Sequence, residues 1–158
     1  MSNNQAGVQN HSQPNKKFII YSVFRNNRSY EENIKHLKGH RDFLEIGEQP
    51  HKILLGVYKS EEEFSIIRPY EKYILEAALD KKRFSQESVL ILETYKHGLY
   101  KAKLHFKNNK EEDIGYFRCV SKEIAEKQDS YTIDGDNYYI CTKSDSVMSD
   151  DLQKEGLK

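Results

Sequence analysis

The run Phe18-Ile-Ile-Tyr-Ser-Val-Phe24 constrains the fold more than any other stretch. Its apolar and β-branched side chains show little polar alternation, as in a strand buried on both faces. Ser29 stands three residues before Glu32, the spacing of a capping box, and opens a helix. Tyr30, Ile34, Leu37 and Leu44 fall on one stripe of that helix, and Gly47 stops it. Pro50 leads into a second strand, Lys52 to Tyr58, and a third runs from Phe64 to Arg68. Glu61, Glu62 and Glu63 fill the turn between them. Pro69 suits the first turn of a second helix, with Tyr70, Tyr73, Ile74, Ala77 and Ala78 on its apolar side and its end near Lys82.

Ser88 to Tyr95 is a fourth strand, and His97-Gly98 turns into an alternating strand, Leu99 to Phe106. A strand near Gly115 to Val120 and a hairpin across Asp134-Gly135-Asp136-Asn137 complete the pattern. The order implies an α+β fold, a ferredoxin-like βαββαβ core with C-terminal β-hairpin additions. Its two helices cover one face of the sheet; the C-terminal strands or another subunit must cover the other. Residues 18–142 make a single domain between a disordered N-terminal segment, 1–17, rich in Asn, Gln and Ser, and a polar C-terminal tail, 143–158.

Lys plus Arg and Asp plus Glu each number 25, so the chain lacks the basic excess of a general nucleic-acid binder. Two cysteines, Cys119 and Cys141, with no CxxC, argue against a disulfide framework or zinc site. The beginning has no apolar signal core and no run reaches membrane-spanning length, which makes the cytoplasm the expected location. There is no phosphate-binding glycine loop, GxSxG or HExxH. His36 and His40 are one helical turn apart, a spacing that can ligate metal, but no third ligand accompanies them and a solvated or partly packed helix face is the better reading. No metal is expected.

Two constellations remain. Tyr58 and the acids Glu61, Glu62 and Glu63 join two strands, where a phenol and a carboxylate together can hold a cation or position a proton. The ordinary alternative is a solvated turn. Ser22-Val-Phe-Arg-Asn-Asn27 ends a strand in polar groups before a capped helix, a place where anions and small molecules are often bound. Its ordinary alternative is turn and cap chemistry.

The segment Phe18 to Asn27 resembles the opening strand of the phage-type S-adenosylmethionine (SAM) lyases, formerly called SAM hydrolases, which runs into a Ser-x-Phe-Arg-x-Asn element. Gly56-Val-Tyr58 followed by Glu61 to Glu63 is similar to their Gly-x-Tyr and paired-acid region, although the stretch between tyrosine and acids is shorter here. Val89-Leu-Ile-Leu92 and Tyr131-Thr-Ile-Asp134 follow in the family's order. The resemblance implies attack of the methionyl carboxylate on its own γ-carbon, yielding 5′-methylthioadenosine and homoserine lactone without cofactor, metal or water. It assigns catalysis to Tyr58 with Glu61, Glu62 or Glu63, and substrate binding to Ser22, Phe24, Arg25 and Asn26. It also implies a homotrimer with sites between subunits. Some members degrade the type III CRISPR signal SAM-AMP and so end an antiviral response, while phage members deplete SAM against restriction. A non-catalytic ferredoxin-like binding or inhibitor module is the competing class.

Overall fold

The structure, a computed structural model, describes residues 15–80, 86–96 and 98–145. Residues 1–14 of the expected lead-in, Lys82, His97 and residues 146–158 of the expected tail lie outside the described residues. The elements are β1 (Lys17–Tyr21), α1 (Tyr30–Ile46), β2 (Lys52–Tyr58), β3 (Glu61–Pro69), α2 (Lys72–Leu79), β4 (Ser88–Lys96), β5 (Leu99–Phe106), β6 (Glu111–Val120), α3 (Lys122–Glu126), β7 (Ser130–Asp134) and β8 (Asn137–Thr142).

Helix α1 starts where its cap directs. Ser29 Oγ accepts from Glu32 N at 3.1 Å, and the Glu32 carboxylate accepts from Ser29 N at 2.9 Å. Gly47 caps its far end. Helix α2 begins at Lys72 and not at Pro69, because Pro69 still belongs to β3, opposite Phe18. A proline lacks the donor for a central ladder but is tolerated at a strand's last residue. Helix α3, capped by Ser121 Oγ on Ile124 N, had no counterpart in the sequence pattern.

All eight strands join one closed antiparallel barrel in the order β1-β3-β2-β7-β8-β6-β5-β4, with β4 returning to β1. This overturns the ferredoxin-like α+β reading. Strands β4, β1, β3 and β2 do lie side by side, but the strands expected as appended hairpins extend the sheet from β4 round to β2. The closing seam runs from Leu55 opposite Ile133 to Tyr58 opposite Ser130. A ferredoxin-like sheet would leave that side of β2 as a free edge. Closure satisfies its backbone donors and acceptors instead.

Alternate residues of β1 serve the two sides of the barrel wall. Ile19 and Tyr21, continued by Val23, pack outward with Ile66, Val89 and Ile91 against Leu37 and Leu44 of α1 and Ile74, Leu75 and Ala78 of α2. Ile20 faces inward with Leu54, Leu92, Ala102 and Phe117, and Phe18, Ile67, Tyr100 and Tyr139 pack against them. Burying one such aliphatic side chain contributes about 1.5–3 kcal/mol. The run is thus buried on both faces as its composition required, and the chain's own C-terminal strands cover the inner one. No helix among the described residues is long and apolar enough to cross a membrane.

Candidate active site

The acids lie in a strand, not in a turn. Lys59 and Ser60 alone connect β2 to β3, and both have positive φ, 49° and 71°. Two left-handed residues match a two-residue hairpin whose twist suits the strands it joins. The register then fixes which side each acid takes. Tyr58 is opposite Glu61, Val57 opposite Glu62 and Gly56 opposite Glu63. Directly opposed residues share a face, and by the same alternation Tyr58, Glu61 and Glu63 share that of the inward Leu54 and Ile67. Glu62 goes with Phe64 and Ile66, toward the helices.

Strand β7 extends the Tyr58 face. Ser130 is opposite Tyr58 and Thr132 opposite Gly56. Gly56 leaves a notch between Thr132 and Glu63, since a Cβ there would meet only the Glu63 carbonyl oxygen, at 3.5 Å. The site sits at the barrel rim, with Tyr58 56% exposed and all three glutamates exposed. None of these acids takes part in an ion pair among the described residues. The Lys59 ammonium stands 5.3 Å from the centre of the Tyr58 ring, and Lys59 N donates to the Asp129 carbonyl at 2.7 Å, tying the hairpin tip to the approach to β7. A cationic ligand would find two exposed carboxylates and a phenol on this face.

The Ser22–Asn26 segment abuts the same hairpin through Phe64. Ser22 Oγ donates to the Phe64 carbonyl at 3.3 Å and accepts from Phe24 N at 3.0 Å. The Phe24 and Phe64 rings meet edge to face, 6.3 Å between centroids. Phe64 follows Glu63 in the strand but points to the helix side with Glu62, so the Ser22–Asn26 segment packs behind the wall whose inner face carries Tyr58, Glu61 and Glu63. Arg25 is fixed from both backbone ends by buried Asn33 of α1: Arg25 N donates to Oδ1 at 2.8 Å, and Asn33 Nδ2 donates to the Arg25 carbonyl at 3.1 Å. Its guanidinium donates to the Phe24 carbonyl at 3.1 Å. Burial first, and then the charge of Arg28, lowers its pKa. Asn26 is exposed in the turn. Ser22, in contrast, is 7% exposed and spends its hydroxyl on backbone, so it shapes the wall.

His36 and His40 of α1 do not converge with a third ligand: among the described residues no three His, Cys, Asp or Glu side chains group around a metal position. His40 Nε2 lies 2.6 Å from the Tyr21 hydroxyl, which itself accepts from Arg68 Nη1 at 3.3 Å. Which of the two donates in the Tyr21–His40 bond is set by the histidine tautomer. Burial, then the charges of Arg68 and His51, push His40 down to about 4, so its ring is neutral near pH 7.

A cavity of about 290 Å³ opens into the barrel at the far end of the β2–β3 hairpin, between Phe18, Lys52, Leu54, Tyr100 and Tyr139, and Thr132 lines it as well. None of the expected site residues lines it. Sequence reasoning missed Gly56, Ser130 and Thr132 as site neighbours. Gly56 did carry a signal, since a glycine inside an apolar strand marks close approach of a ligand or backbone. Ser130 and Thr132 carried none, because only barrel closure brings them to β2.

The family model described as S-Adenosylmethionine lyase family matches residues 19–142. No curated protein matches the chain.

Proposed function

The chain belongs to the S-adenosylmethionine lyase family, and from that premise we propose that it cleaves the sulfonium of SAM-AMP or of SAM itself by internal displacement. The methionyl carboxylate oxygen forms a bond to the γ-carbon while the bond from that carbon to sulfur breaks. The electron pair passes to sulfur, which leaves as the neutral thioether of 5′-methylthioadenosine, still joined to AMP when the substrate is SAM-AMP, and the remainder closes as homoserine lactone. Nucleophile and leaving group sit in one molecule, so the protein's task is to fold the substrate into attack geometry. The observation that carries this reading is the grouping of Tyr58, Glu61 and Glu63 on one face around the Gly56 notch. That face suits a substrate bearing ammonium and sulfonium charges. Tyr58 orients the substrate and one carboxylate holds the cation. In a bacterial setting the same chemistry on SAM-AMP would end a type III CRISPR signal; in a phage it would deplete SAM.

Purified protein incubated separately with SAM and with SAM-AMP should release methylthioadenosine from the first, its AMP conjugate from the second, or both. Release from neither would leave the non-catalytic binding module as the surviving alternative. Tyr58→Phe and the more damaging of Glu61→Gln and Glu63→Gln should each lower kcat/KM about 10- to 100-fold. Glu62→Gln, on the other face, should cost less than either. A Glu62 effect exceeding both would reverse the assignment.

A further inference from the structure

Between the β1–α1 connection and one side of α1 lies an open groove of about 670 Å³. Val23, Arg25, Asn27 and Arg28 line one bank; Lys35, His36, Gly39 and His40 line the other. None of the eight is acidic. The two guanidiniums are held by backbone carbonyls, Arg25 by that of Phe24 and Arg28 by that of Val23 at 2.7 Å. Arg28 Nη1 is buried with no hydrogen-bond partner among the described residues. The acid near the groove, Glu32, has its carboxylate on Ser29 N, from where it still feels the charges of Arg28 and His36. At Gly39 a Cβ would meet nothing within 4 Å, so the middle of the groove is clear of neighbouring atoms.

Among the described residues Arg25, Arg28, Lys35 and His36 form no ion pair, so the cations of this concave site are available to an anion from outside. Guanidiniums favour phosphate, whose oxygens fit their planar donors, and the volume is in the range of a small-molecule site. The balanced charge of 25 cationic and 25 acidic residues argues against a long nucleic-acid track.

We propose that this groove binds the phosphate of a nucleotide, with Arg28, Lys35 and His36 joining Arg25 as its contacts. The phosphate has two possible sources, the substrate itself or a separate nucleotide ligand. The groove's anion binding does not depend on the lyase reading; only the first source does.

The probes are AMP and inorganic phosphate, titrated calorimetrically at fixed ionic strength into the full chain and into Lys35→Glu, Gly39→Asp and Lys38→Glu. Lys35 and Gly39 are exposed, so neither change disturbs the core, and Lys38 is an exposed lysine of the same helix outside the groove. AMP should bind more tightly than phosphate, and both groove variants should weaken it about 10-fold or more while Lys38→Glu stays within about 2-fold. Absence of AMP binding, or equal losses in all three variants, would overturn the proposal whether or not the protein is a lyase. A short single-stranded oligonucleotide binding more tightly than AMP would also overturn it, in favour of a nucleic-acid surface. AMP that raises KM competitively in the lyase assay identifies the substrate's own phosphate as the source. AMP that binds without changing KM identifies a separate ligand.

Discussion

His40 couples the outer core to pH. Its folded pKa of about 4 lies below the ordinary 6.5, because burial and the Arg68 charge oppose protonation. The unfolded chain therefore binds more protons between those values, so the contribution of neutral His40 is complete above pH 6.5 and is lost as pH falls toward 4. Discounted for the ring's partial exposure, the loss is about 1–2 kcal/mol. Thermal melts should show a fall in Tm across this window, and His40→Gln should flatten it; an unchanged slope would locate the acid sensitivity elsewhere. At this scale the sequence was only partly legible. Tyr58 and the acids were identifiable as a group, and His40 read as solvated or partly packed, but its partners Tyr21 and Arg68 could not be named because they come from two strands distant in the chain.

The elements whose signals are local matched their sequence patterns best. The capping box of α1 needs only Ser29 and Glu32, and both bonds are present. Ser29→Ala should cost about 1 kcal/mol, visible as a lower denaturation midpoint with an unchanged slope. The hairpin at Lys59-Ser60 was harder to read, since neither residue is one of the usual occupants of a left-handed pair, and Glu61 to Glu63 therefore passed for the turn. A different irregularity falls between β5 and β6, where the register shifts after the pairing of Ala102 with Gly115. Gly115 has φ +104°, and a Cβ there would collide with the Thr142 carbonyl oxygen. Gly115→Ala should destabilise by about 2–3 kcal/mol or more, measured by chemical denaturation. A loss below 0.5 kcal/mol would mean that β8 yields readily at Thr142.

Closure is the property of the whole molecule that periodicity did not reveal. Alternation identifies strands but does not say whether the last one returns to an early one, and the short β7 carries no mark that β2 is its partner. With the inner face enclosed, an uncovered sheet face no longer argues for subunit association. The exposed rim site gives a better reason, since a second chain over Tyr58 and the acids would exclude water and strengthen their hold on charge. The family resemblance implies a trimer, for which light scattering would give three times the 18.6 kDa chain mass; a monomer active at full rate would rule out a shared site. The seam between β2 and β7 also sets a timetable for synthesis. Strand β2 is complete at Tyr58, yet its second neighbour does not exist until Ser130 to Asp134 have been made. From then until Ser130 is added the nascent chain carries a bare β edge beside the apolar inner side of β1 and β3, the kind of surface that captures other strands. Chains terminated shortly before Ser130 should accordingly collect in the insoluble fraction, while those extending through β8 stay soluble.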